Sequence, residues 1–205
     1  DTSEDTLTFS FDAVNIPLGS SHIGMQEGET ITVDQALHGL LLMSANEVAN
    51  GLAERVSGSI EAFVTAMNKR AAELGATHTH FANPHGFHDP DHHTTAYDMA
   101  LITKALLKED YFLQIEKDAK YQIPVTNKVN EIRYLAQQHK MLNPSSSSSI
   151  YREDVIAGKT GYTDEARFTL VTVAKQNNRT LICVILDSGR DDFYPDTAKL
   201  LDYGF

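Results

Sequence analysis

Two apolar runs, Phe168-Thr-Leu-Val-Thr-Val-Ala174 and Thr180-Leu-Ile-Cys-Val-Ile-Leu186, constrain the fold of this chain more than any other stretch. They are rich in Val, Ile, Leu and Thr, too short for ordinary helices, and joined through the polar Gln176-Asn177-Asn178-Arg179. This pattern predicts a hairpin buried on both faces. Before it come Val155-Ile156 and then Ala157-Gly158-Lys159-Thr160-Gly161-Tyr162-Thr163. On a strand, Lys159, Thr160 and Gly161 set an ammonium, a hydroxyl and an unhindered backbone edge in a row. Such a row suits an extended ligand with an anionic end: Lys and Thr grip a carboxylate, and Gly lets the ligand lie against the strand. A phosphate-binding P-loop competes poorly, since it needs a glycine where Glu153 stands and would open a helix. A Gly-bracketed strand entry with a solvated lysine is the plainer alternative, and the tripeptide needs a partner elsewhere in the chain to displace it.

Upstream, Leu7-Thr-Phe-Ser-Phe11 alternates like a short strand, and 18–21 and 27–29 carry turn residues. Thr32-Val-Asp-Gln35 fits a capping box, with Thr32 as N-cap and Gln35 reaching back. Val33, Ala36, Leu37, Leu40 and Leu41 follow at helical spacing. The stripe breaks at Met43-Ser44-Ala45-Asn46, and a second begins with Val48, Ala49, Leu52, Ala53 and Val56. A third helix is predicted over about 59–74, with Gly75 at its C′ position. Residues 76–94 form a polar loop holding His78, His80, His85, His88, His92 and His93. No metal-binding histidine pair falls on a predicted helix and no cysteine is near, so a solvated, turn-rich loop is expected there instead of a metal site. Thr95 caps a further helix; 121–125 and 131–135 read as short strands; Ser145 to Ser149 reads as a mobile loop. The last helix is expected from about Asp196 to Tyr203, stopping at Gly204.

The formal net charge of -11 argues against nucleic acid and anionic membrane as partners. Cys183 is the single cysteine and lies in an apolar run, so it is expected to be a buried, inert thiol. No apolar run reaches membrane-spanning length, and Asp1-Thr-Ser-Glu-Asp5 is the opposite of a signal peptide. The abrupt start and end suggest a processed or trimmed piece.

Ser44-Ala45-Asn46 presents a hydroxyl and an amide where one helical stripe gives way to the next; taken alone, either residue would be an N-cap. Followed far downstream by Lys159-Thr160-Gly161, the pair acquires another meaning. The chain resembles the serine-type D-alanyl-D-alanine carboxypeptidases, low-molecular-mass penicillin-binding proteins of the peptidase S11 kind. The resemblance covers nearly the whole length. It runs through Ile16-Pro17-Leu18-Gly19-Ser20, Gly28-Glu29-Thr30, Leu40 to Glu47, Ala82-Asn83-Pro84-His85-Gly86-Phe87, Thr95 to Ala100, Lys159 to Thr163 and Leu200 to Phe205. It implies an α/β (α+β) fold of the penicillin-binding, β-lactamase-like transpeptidase type, a mostly antiparallel sheet packed between helical layers, with residues 1–205 an incomplete catalytic domain. It implies acyl transfer without a cofactor: a serine attacks the penultimate D-Ala carbonyl of a peptidoglycan stem peptide, the terminal D-Ala leaves, and water clears the acyl-enzyme. β-Lactams would act as inhibitors, on the extracytoplasmic, cell-wall side of a bacterial membrane. Carried over by motif, Ser44 relays a proton toward the leaving amine and Asn46 holds the substrate's backbone amide. Lys159 supplies positive potential around Ser44 and the substrate carboxylate, and Thr160 hydrogen-bonds that carboxylate. Gly161 keeps the strand edge open, and the Tyr162 N–H gives half of the oxyanion hole.

The chain departs from the family pattern in one decisive respect. The family's nucleophile lies in Ser-x-x-Lys at a helix N-terminus, and no serine here has a lysine three residues on. The nucleophile, its lysine and the other half of the oxyanion hole are therefore expected in a missing N-terminal segment of the same precursor. That segment would also cover the strand at 180–186, so residues 1–205 would not be an independent folding unit. The small β-rich domain and amphipathic anchor of many relatives are also missing. Glu165-Ala166-Arg167 stands where many relatives carry Ala-Gly, and Arg167 either shapes the leaving-residue pocket or faces solvent. Three readings follow: a carboxypeptidase domain whose nucleophile lies elsewhere, an inactive relative that binds stem peptides or β-lactams non-covalently, and a metal-binding or structural surface protein using the histidine loop. The retained Ser44, Asn46, Lys159 and Thr160 favour the first, since a pure binder need not keep a proton-relay serine.

Overall fold

A computed structural model describes residues 4–147 and 149–205. They form two compact units, one made of the residues up to Arg70 with 81–92 and 120–136, the other of 71–80, 93–119 and 137–205. Among the described residues, no helix is long and apolar enough to cross a membrane. The first three residues and Ser148 of the serine run lie outside the described residues.

In the first unit, β1 (Thr6–Thr8) pairs antiparallel with β2 (Thr30–Thr32). The strand is shorter than the alternation over 7–11 predicts. Ser10 Oγ accepts from Ala13 N and opens α1 (Phe11–Val14), so a local cap overrides the strand pattern. Thr32 and Gln35 make the expected reciprocal capping box, at 3.1 and 3.0 Å, and start α2 (Val33–Met43). Next come α3 (Asn46–Ser57) and α4 (Ile60–Glu73), most of which belongs to this unit. Gly51 of α3 lies so close to Phe9 that an added Cβ would come within 2.8 Å of its ring. β3 (Lys120–Ile123) pairs antiparallel with β4 (Arg133–Ala136), and both pack on α2. Glu29, fully buried, ties the turn before β2 to the turn before β4. It accepts from Arg133 at 2.8 and 3.0 Å, Thr126 at 2.6 Å and Gln26 N at 3.0 Å. Burial pushes this carboxyl up, but those donors outweigh it and hold it below its ordinary value.

In the second unit, Ala76 N donates to Ala71 O and Gly75 N to Ala72 O, with Gly75 at φ +82, a Schellman close to α4. Thr95 caps α5 (Ala96–Leu106), and α6 (Asp110–Ile115) follows. The sheet is a meander of β5 (Val155–Thr163), β6 (Arg167–Gln176) and β7 (Arg179–Ser188), antiparallel in that order. Asn177 and Asn178 both have positive φ, as a tight hairpin turn between β6 and β7 requires. α7 (Phe193–Gly204) begins earlier than its polar stretch suggests, because Phe193 and Tyr194 are buried with Leu170, Cys183 and Leu201. Pro195 sits in its first turn, where no N–H is needed. Cys183 is free and buried, and burial pushes its thiol up. β5 and β7 are the outer strands; among the described residues none pairs beyond either.

Candidate active site

Ser44 closes α2 in a left-handed conformation, φ 57 and ψ 36, which non-glycine residues adopt at a cost. Its N–H reaches Leu40 O at 3.0 Å. The N-cap position of α3 belongs to Ala45, without any side-chain cap. Neither Ser44 nor Asn46 therefore serves as the cap that each would be on its own. Asn46 is buried, and its N–H donates to Ser21 O at 2.9 Å. Glu47 Oε1 accepts from Ile23 N at 2.8 Å and Met25 N at 3.3 Å. The first turn of α3 is thus tied to the loop before β2, which fixes the backbone that carries Ser44 and Asn46.

Lys159, Thr160, Gly161 and Tyr162 follow one another on β5, in the second unit; Ser44 and Asn46 belong to the first. Lys159, Thr160 and Gly161 stand opposite Val171, Leu170 and Thr169 of β6 and are half-buried. Because β5 is an outer strand, its far edge carries no strand partner among the described residues. Lys159 Nζ donates to Thr160 O at 3.1 Å. Burial pushes this amine down to about 8, against the nearby Glu116 carboxyl, which raises it. Tyr162 is exposed, and its hydroxyl donates to Asp164 at 2.8 Å. The glycines of this strand answer first to the protein itself. A Cβ at Gly161 would stand 2.5 Å from Thr169 Oγ1, and one at Gly158 2.5 Å from Val171 O and 2.7 Å from the His139 ring. Arg167 is exposed, at φ 56, and its side chain pairs with Asp187 at 3.5 Å, so it faces solvent.

Two residues that sequence reasoning missed pack behind this strand. Glu116 is 2 % exposed, and its Oε2 accepts from Gly158 N at 3.3 Å. Burial pushes its carboxyl up to about 7, against the Gly158 N–H and Lys159. His139, also buried, shares a 2.9 Å hydrogen bond between its Nε2 and Thr172 Oγ1, and burial pushes it down to about 4. Neither residue sits in a local pattern that marks it; only the fold brings them to β5.

The histidine-rich loop uses its rings as backbone acceptors. Ala82 N donates to His92 Nδ1 at 3.2 Å and Phe87 N to His85 Nδ1 at 3.1 Å, while His80 and His93 exchange backbone hydrogen bonds. Among the described residues, no three His, Cys, Asp or Glu side chains are grouped to hold a metal ion.

Comparison with known proteins bears on this arrangement. The family model described as D-alanyl-D-alanine carboxypeptidase matches residues 2–189. D-alanyl-D-alanine carboxypeptidase DacF of Bacillus subtilis is 32% identical over 189 residues, 92% of this chain and 46% of that protein. The crystal structure of a D-alanyl-D-alanine carboxypeptidase from Mycobacterium tuberculosis is 30% identical, with a TM-score of 0.85 over 100% of this chain and 75% of the other. That of a Streptomyces DD-transpeptidase is 27% identical, with a TM-score of 0.86 over 99% of this chain and 79% of the other. The chain spans about half the length of the curated relatives it matches, 46%, 61% and 44% of three of them.

Proposed function

This chain belongs to the D-alanyl-D-alanine carboxypeptidase family, and from that membership we propose that it is part of a serine-type enzyme that trims the terminal D-Ala of peptidoglycan stem peptides. The observation that carries the reading is the placement of Lys159-Thr160-Gly161 on an outer strand of the sheet. An open strand edge binds an extended peptide through its backbone, and an ammonium and a hydroxyl on that strand suit the peptide's terminal carboxylate. In this reading Thr160 hydrogen-bonds the carboxylate, Lys159 supplies its counter-charge, and Gly161 keeps the edge bare. The Tyr162 N–H is one of two donors to the oxyanion. Asn46 holds the substrate's backbone amide, and Ser44 passes a proton to the departing D-Ala amine. The left-handed C-cap at Ser44 holds its side chain at the α2–α3 junction, in the same turn as Asn46.

The acyl-forming serine belongs to a Ser-x-x-Lys segment that is not among these residues. Residues 1–205 are then an incomplete catalytic domain, working on the cell-wall side of the membrane and open to β-lactams as inhibitors. The lack of Ser-x-x-Lys also favours a second reading for these residues taken by themselves, as a non-covalent binder of stem peptides or β-lactams. The test is D-Ala release from a peptide ending in D-Ala-D-Ala by the full polypeptide that carries these residues. Release that falls steeply in Lys159→Ala and little in Thr160→Ser is the expected result. No release, or equal release from a peptide ending in L-Ala-L-Ala, would overturn the reading.

A further inference from the structure

We propose that the cavity between the end of α1, the loop before β2 and the start of α3 is a binding site for a small aliphatic ammonium ion, with Glu47 as its anionic anchor. The site lies wholly within the first unit and does not rest on the carboxypeptidase reading. The cavity holds about 270 Å³. That is below the range of about 300–1,000 Å³ usual for drug-sized ligands, so its occupant is small. Its walls are mostly apolar: Val14 from the end of α1, Ile16, Pro17 and Leu18 from the loop, and the buried Met25. Leu18 and Gly19 line it and are exposed, which leaves it open to solvent.

The polar lining is Ser20, His22 and Glu47. Ser20 is already engaged, since its Oγ donates to Pro17 O at 2.5 Å. His22 is exposed. Glu47 is 2 % exposed, and its two oxygens differ in what they meet. Oε1 accepts from Ile23 N at 2.8 Å and Met25 N at 3.3 Å, which fixes the carboxyl group against the loop. Oε2 is buried and has no hydrogen-bond partner among the described residues. A buried carboxylate oxygen left unpartnered is costly, more so than a neutral group in the same place. Among the described residues, no lysine or arginine lines the cavity to compensate it. An ammonium brings a positive charge and three N–H donors. Apolar walls around a single acid suit a hydrocarbon body behind that charge. An anionic ligand would meet Glu47 as a like charge, and a wholly apolar one would leave Oε2 bare. The occupant would bridge the loop to α3 beside the 2.9 Å bond from Asn46 N to Ser21 O.

The test is binding of n-butylamine, as its ammonium ion, to the full polypeptide, read by NMR of the Met25 methyl group. The uncharged probe of the same length is 1-butanol. Butylammonium is expected to shift the methyl resonance saturably, and 1-butanol to bind about ten-fold more weakly or worse, as loss of a charge-assisted hydrogen bond implies. Glu47→Gln keeps a carbonyl oxygen for Ile23 N and Met25 N but sets an NH2 donor where Oε2 stood. It should therefore lose amine binding and keep that of 1-butanol. The absence of a saturable shift with butylammonium would overturn the proposal and leave Oε2 to water. Equal affinity for the two probes, or an unchanged amine affinity in Glu47→Gln, would overturn it too. If that variant does not fold, the comparison of the two probes on the native protein decides. The readout does not involve D-Ala release, so failure here leaves the carboxypeptidase reading standing.

Discussion

Ser44 holds a conformation that its side chain does not favour, and its backbone can be tested apart from its chemistry. Both Ser44→Gly and Ser44→Ala remove the hydroxyl, but only glycine accepts φ 57 freely. Ser44→Gly should therefore be more stable than Ser44→Ala by about 1 kcal/mol in urea denaturation, the usual left-handed penalty. Equal stabilities would mean that the junction relaxes on substitution and stores no strain. Glu116 makes a second prediction, through pH. Its carboxyl titrates at about 7 when folded against an ordinary 4.5, so between these values the folded state holds the extra proton. Its contribution to stability therefore falls as pH rises through that window. His139 works the other way: at about 4 folded and 6.5 ordinarily, it adds stability as pH rises between those values. Glu116→Gln removes the falling contribution, and by lowering Lys159 further it also widens the window over which that amine adds stability as pH rises. The variant should gain on the parent by on the order of 3 kcal/mol between about pH 5 and about pH 7.5. A stability difference that stays constant with pH would show that Glu116 titrates as an ordinary carboxyl.

Strand β5 joins these residues into an element, and its glycines are where the element is least forgiving. At Gly158 a methyl group would meet a backbone carbonyl, Val171 O, which cannot move without opening the β5–β6 ladder. At Gly161 it would meet the Thr169 hydroxyl, a side-chain group that can turn away. Gly158→Ala should therefore destabilise by about 2–3 kcal/mol and Gly161→Ala by less, measured as shifts in urea midpoint. The reverse order would show that the ladder gives way more easily than a threonine rotamer. The same strand shows how far the sequence could be read. The β6–β7 hairpin was legible because its apolar runs and Asn-Asn turn are local signals, and the capping box of α2 was legible for the same reason. The strand expected over 7–11 ends at Thr8 because a single Ser10 cap redirects the chain into α1. Lys159 and Thr160 were legible as a tripeptide. Glu116 and His139 were not, because each comes to β5 from a distant segment and burial, not spacing, gives it its chemistry.

Over the whole chain, an outer strand without a strand partner among the described residues and a large net charge pull in opposite directions. β7 is an outer strand: β6 pairs with one side, and among the described residues no strand pairs with the other. Its interior, Leu181 to Leu186, holds no lysine or proline to blunt an edge, and most of it is half-buried. Backbone N–H and C=O groups with no strand partner, beside apolar side chains, can serve as a template for another strand. Against this stands the formal net charge of -11, which makes copies of the chain repel one another. Charge repulsion acts over a Debye length, about 10 Å at 0.1 M salt and about 3 Å at 1 M, whereas strand pairing acts at contact and is little screened. Residues 1–205 on their own should therefore sediment near the monomer mass at low salt and associate as salt rises. Sedimentation velocity across a salt series checks this, with hydrogen exchange reporting on the β7 amides. Association that protects those amides is the expected outcome. A monomer at every salt concentration, with β7 amides exchanging no faster than those of β6, would mean that the edge is already satisfied and offers nothing to another strand.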